Sequence, residues 1–147
     1  MNRYFEIRDL ALKCLEEKAH GFYKRQMLEH MFQVETLCVL LAQKRQLNLE
    51  LSAIIGVLHD LSIPLDCNDF NHAARSSMIA KDFLMQSGLF AEEEISIITS
   101  AIANHSHKER KDDAYSELIK DADVLSHVLQ GEILKEQAQK RYQSIHL

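Results

Sequence analysis

An all-α fold is what this sequence predicts, on three observations. Turn formers are scarce, with four glycines and one proline in 147 residues. Apolar side chains recur at spacings of three and four along most of the chain, the period of one helical face. At 46% apolar content the chain can bury one core, and its length suits a single domain over residues 1–147.

The elements follow in order. Residues 4–18 place Ile7, Leu10, Ala11, Cys14 and Leu15 on one stripe, a covering helix that His20-Gly21 would end. Residues 23–44 carry Met27, Met31, Val34, Leu37, Cys38 and Leu41, with His30 on the same stripe. Met27 and Met31 read as core packing. Asn48 is a plausible N-cap for a helix over 49–61 that is apolar nearly all round, as expected at the centre of a bundle. Pro64 is expected to stop it, and 62–70 reads as a loop. Asn71 can cap a helix in which His72, Ser76, Ile79, Ala80 and Phe83 share a face and which Gly88 closes. Residues 91–104 form a further helix that leaves His105 at the end of its stripe. The charged run 107–113 is a solvated loop. Helices over 115–129 and 132–142 complete a compact bundle of six to seven.

Composition narrows the function classes. The formal charge is −5 with both signs interspersed, so no basic patch awaits a phosphate backbone and nucleic acid is not the expected partner. Cys14, Cys38 and Cys67 are odd in number and widely spaced, which suits reduced thiols in a cytoplasm better than a disulfide framework. The first six residues contain no apolar h-region, and no segment reaches the roughly 18 uncharged apolar residues of a membrane span. A soluble, cytoplasmic protein is the expectation.

His30, the pair His59-Asp60, His72, His105 and the aspartates Asp121 and Asp123 are all turned toward the interior on this reading. Ionisable groups are costly to bury unless paired or bound to a metal, so several in one small core imply a shared cation. Imidazole and carboxylate ligands in an open site suit iron, manganese, zinc or nickel, and the lack of nearby cysteine argues against structural zinc. Adjacent His59 and Asp60 differ by about 100° around a helix, so both reach one ion most easily near its end.

The order His30, then His59-Asp60 closing an apolar helix, then Asp123 within Lys120-Asp121-Ala122-Asp123-Val124-Leu125 resembles the HD superfamily of metal-dependent phosphohydrolases. The resemblance runs from about residue 30 to 129. It implies an HD-domain bundle with a metal-site core over about 23–129, flanking helices at both ends, and one divalent ion held by His30, His59, Asp60 and Asp123. His72 in Asn71-His72-Ala73-Ala74 and His105 in Asn104-His105-Ser106 look like the two extra histidines of members with two metals, which implies a di-iron or di-manganese pair bridged by Asp60. Periodicity leaves Asp121 and Asp123 equivalent: Asp121 shares a face with Leu118, Leu125 and Val128, and Asp123 with Ile119 and His127. The family pattern selects Asp123. The family often continues His-Asp-Ile-Gly-Lys, whereas Ile63 stands here in place of the lysine, and the loop from Asp60 to His72 is short.

These readings converge on hydrolysis of a small, nucleotide-like phosphate ester or anhydride by metal-activated water, with Asp60 orienting or deprotonating it. The cofactor is one or two divalent ions, iron or manganese ahead of zinc, nickel, cobalt and magnesium. Arg75, Lys81 and Lys108 are the candidate substrate-phosphate contacts. His107 reads as a solvated residue, and His20, His127 and His146 as structural or surface residues. A di-iron oxygenase of the HD type and a catalytically silent metal- or nucleotide-binding module are the alternatives. A hemerythrin-like bundle lacks its paired histidine spacings here.

Overall fold

The computed structural model describes residues 2–146, with side chains from residue 3. Met1, in the stretch read above as lacking a leader, and Leu147 lie outside them. All regular structure among these residues is helical: α1 (Asn2–Lys18), α2 (Gly21–Arg45), α3 (Leu49–Leu58), α4 (Ser62–Asp66), α5 (His72–Ser87), α6 (Glu92–Asn104), α7 (Ala114–Leu129) and α8 (Glu136–Ser144). Seven longer helices and the five-residue α4 realise the expected bundle.

At the centre is α3, buried from Leu51 to Leu58 and packed by α1, α2, α6 and α7. Asn48 caps it, its side chain accepting from the Leu51 amide at 3.0 Å. This apolar cylinder leaves water on every side, so the helices around it bury their own stripes against it. The core includes Ile7 and Leu15 of α1, Val34 and Cys38 of α2, Ile98 and Ile102 of α6, and Leu118 and Ile119 of α7.

Three expectations are corrected. Pro64 does not end α3; it sits within the first turn of α4, where its missing N–H has no intrahelical acceptor to lose. The break comes earlier, where the chain tightens through Leu61 N–H to Leu58 O at 3.3 Å and Ile63 N–H to Asp60 O at 3.0 Å. Asn71 precedes α5 in the left-handed region (φ 50°) and its side chain makes no capping bond. The final helix begins at Glu136 rather than 132, after a turn at Gly131 (φ 74°) and a non-helical stretch.

Helices α2 and α3 approach so closely that a Cβ on Gly56 would lie 2.7 Å from the Glu35 Cα and 3.0 Å from its nitrogen. Alanine is the better helix former by about 1 kcal/mol, but here it would force two backbones apart at an overpacking cost of about 1–3 kcal/mol. Gly56→Ala is therefore expected to lose up to about 2 kcal/mol in denaturant unfolding. A variant as stable as the parent would show that α2 can yield.

Candidate metal centre

Each site histidine is oriented by its own Nδ1. His59, just past α3, donates from Nδ1 to the Gly56 carbonyl oxygen at 2.8 Å; His105, just past α6, donates to Ile102 O at 2.7 Å. His72, opening α5, donates to Asp69 O at 2.9 Å. In all three the acceptor lies three residues back. His30, within α2, bonds the Ser126 hydroxyl at 2.9 Å, and that hydroxyl donates onward to Gln33 Oε1 at 2.8 Å. Since a carbonyl oxygen only accepts, and Ser126 has committed its proton, every Nδ1 carries hydrogen and every neutral ring presents a bare Nε2.

Those four Nε2 atoms converge in two pairs, His30 with His59 at 3.1 Å and His72 with His105 at 3.2 Å. Between the pairs lies Asp60. Its Oδ2 is 3.4 Å from His59 Nε2 and 3.5 Å from His30 Nε2, while its Oδ1 is 3.0 Å from His105 Nε2 and 3.4 Å from His72 Nε2. From α7, Asp123 brings Oδ1 to 3.1 Å from His30 Nε2. Ligand atoms of His30, His59, Asp60 and Asp123 all lie within 4.8 Å of one another, and so do those of Asp60, His72 and His105.

This donor set fits divalent cations. Two bare nitrogens facing each other repel unless something positive stands between them. The Oδ1 atoms of Asp60 and Asp123 are buried without a hydrogen-bond partner despite the nearby imidazoles, an expense that a cation removes. Neighbouring ligands at about 2.1 Å from an ion are about 3.0–3.4 Å apart, close to the 3.0–3.5 Å separations of these atoms.

Electrostatics point the same way. Burial opposes charge on the His59 ring, but Asp60 and Asp123 outweigh it and push its pKa up to about 10. Burial also works against both carboxylates, yet His59 and its neighbours hold Asp60, and the Lys108 ammonium holds Asp123, well below the usual carboxylate range. For His105 burial wins, and its pKa is lowered.

Lys108 reaches this centre from the α6–α7 loop, its ammonium donating at 2.6 Å both to Asp123 Oδ2 and to His105 O. The loop is clamped from below by Lys120, wholly buried, which donates to Arg110 O at 2.8 Å and Asp112 Oδ2 at 2.6 Å. From α8, Arg141 Nε donates to Lys108 O at 3.1 Å. Arg141 also joins Arg45 on Asp121, at 2.7 and 2.6 Å, so Asp121 serves helix packing and Asp123 faces the histidines.

Arg75 and Lys81 are not brought to the centre. Arg75 bonds Asp66 and, at 2.8 Å, Asn68, bracing the α4–α5 loop. Lys81 is exposed about 14 Å along α5 from His72. His107 is exposed and pairs with Glu109 at 3.5 Å. His127 was read as structural, but its Nε2 lies 3.2 Å from Asp123 Oδ1 and its Nδ1 2.8 Å from Glu132 Oε2. The available signal was its place one turn after Asp123 on the same face.

The family model for the HD domain matches residues 27–127. The chain belongs to the HD domain family. Ribonuclease Y of Chlorobium luteolum (strain DSM 273 / BCRC 81028 / 2530) and of Chlorobium phaeovibrioides (strain DSM 265 / 1930) are each 28% identical to it over 109 residues, 74% of this chain and 19% of theirs. This HD domain thus spans about a fifth of the length of those relatives. A crystal structure of a predicted HD superfamily hydrolase from an uncultured Thermotogales bacterium matches 94% of this chain and 84% of its own at a TM-score of 0.67 and 19% identity, a likeness of fold. None of the described helices is long and apolar enough to cross a membrane.

The charge balance sets a pH dependence. His59 is raised from 6.5 to about 10, so its protonation stabilises the metal-free fold in full below pH 6.5, and that stabilisation is lost as pH rises toward 10. Chelator-treated protein should show a melting temperature that falls across this window, with a flatter profile after metal is restored. A metal-free form that gains stability there contradicts this charge assignment.

Proposed function

We propose that this HD domain is a metal-dependent phosphohydrolase acting on a small, nucleotide-like phosphate ester or anhydride. The observation that carries the proposal is the Asp60 carboxylate, each oxygen of which faces a different imidazole pair within 3.5 Å. His30, His59, Asp60 and Asp123 would hold one divalent ion, and Asp60, His72 and His105 a second, with iron or manganese favoured ahead of zinc, nickel, cobalt and magnesium for this mixed nitrogen and oxygen set. Bound there, such ions supply Lewis acidity toward the phosphoryl group and make water nucleophilic at neutral pH.

The chain's own residues do the rest. A cavity of about 710 Å³ is lined by Asp60, His72, His105, Lys108, Asp123 and Lys135 among others, room for a small phosphorylated molecule. Asp60, acceptor-only when ionised, can orient an attacking water or take its proton. Lys108 supplies the fixed positive charge that Ile63 cannot, beside the place where charge accumulates on the transferring phosphoryl group. Glu132 accepts from His127 Nδ1 and so holds that ring with Nε2 turned toward Asp123. The relatives named Ribonuclease Y are consistent with chemistry at a phosphate ester, while the net charge of −5 favours a small substrate over a polyanion.

Metal analysis of protein loaded with manganese or iron should return two ions per chain, matching the two ligand groups, and His72→Ala should lose one while keeping the other. Equal metal content in both proteins would remove His72 from the ligand set. The loaded protein assayed against nucleotides and dinucleoside polyphosphates should release phosphate or a nucleotide, with Asp60→Asn slower by at least about 1,000-fold, three tenfold steps of transition-state stabilisation. Failure to hydrolyse any of them, with metal bound, overturns the proposal.

A further inference from the structure

Two cavities open on the centre. Asp60, Ile63, His127 and Glu132 line both, so they meet over the ligand clusters. The larger is strongly charged, with Lys108 and Lys135 and six carboxylates around the His72–His105 pair. The smaller, of about 230 Å³, lies on the His30 side and is lined by Tyr23, Gln26, Met27, Ile63 and Gln130, with no lysine or arginine among its described lining residues. Apart from the His30 and His127 rings and the Asp60 and Glu132 carboxylates, where it meets the ligand clusters, its lining carries no charge. What the surface offers instead is an aromatic face, two apolar side chains and two primary amides, which suit a flat, uncharged ring with hydrogen-bonding edges. Below the ~300–1,000 Å³ that encloses a drug-sized ligand, it has room for one ring system.

Tyr23 is the feature that decides the occupant. The residue is 48% exposed at the start of α2, outside the buried core, and Phe22 meets its ring edge-on at 6.5 Å and 73°. Met27, one turn on, is 8% exposed and forms an apolar floor.

Resting on the phosphohydrolase reading, we infer that the Tyr23 cavity binds the nucleobase of the substrate, stacked on Tyr23 over Met27 and Ile63 with its edge toward Gln26 and Gln130. The phosphate then lies over the ligand clusters, and whatever follows it extends into the Lys108 cavity. Tyr23 is accordingly a specificity residue: it binds the part of the substrate that does not react.

The test compares the full-length, manganese-loaded protein with Tyr23→Ala and Tyr23→Phe, using the four common nucleoside 5′-monophosphates and ribose 5-phosphate. Stacking on an accessible ring contributes on the order of a tenfold preference. Tyr23→Ala should therefore raise KM for the preferred nucleotide about tenfold, leave kcat and the ribose 5-phosphate reaction unchanged, and be rescued by Tyr23→Phe. An equal effect on both substrate types, or none, overturns the base subsite while the hydrolase stands. Saturation-transfer NMR with the four free nucleosides reads the subsite without turnover: transfer to base protons that disappears in Tyr23→Ala and persists in Tyr23→Phe supports it even if no phosphate is released. Absence of transfer to every base overturns it.

Discussion

The structure depends on one buried carboxylate. Asp60 stands between four imidazole nitrogens delivered by α2, the end of α3, the start of α5 and the end of α6. No helix alone could meet the cost of burying that charge, so the cluster is stable only when all four arrive together. The bundle is in this sense arranged around its least hydrophobic point. Three of the four histidines sit at a helix terminus and take a carbonyl three residues back, which fixes ring orientation before any cation is considered.

Around this centre the polar network divides its labour. The close contact of α2 with α3 at Gly56 brings His30 and His59 to within 3.1 Å of each other. The α6–α7 loop would be mobile if its charges were merely solvated, but Lys120 and Arg141 tie its carbonyls to α7 and α8. Its one reward is the placement of Lys108 against Asp123. A cation thus reaches the centre from a loop, at a site where the residue following the His-Asp pair by three is isoleucine.

Much of this was legible in the chain. The scarcity of glycine and proline and the helical spacing gave the bundle; the unbroken apolar face of residues 49–58 marked the central helix; Asn48 marked its start. His30, His59, His72 and His105 stood on apolar stripes where an unpaired imidazole would be costly. Pro64 misled because a proline that ends a helix and one that begins the next look alike in sequence, and only the tightened turn at 59–61 separates them. Lys108 stood among the candidate phosphate contacts, but the charged run over 107–113 gave no sign of its bond to Asp123, because that partner lies on another helix.

By itself the sequence indicated which histidines and aspartates would face the interior and could bind a cation, because both follow from local period and side-chain chemistry. It could not choose between Asp121 and Asp123: α7 is buried on nearly every side from Ser116 to Ser126, so no apolar face distinguishes them. Tertiary packing chose, by bringing Arg45 and Arg141 to one carboxylate and His30 and Lys108 to the other. It also decided that Asp60 would face two histidine pairs rather than one, because that arrangement requires ring nitrogens from residues 12 to 45 positions away in the chain to meet within 3.5 Å. Distances of that kind arise from how helices cross, and no local pattern encodes them.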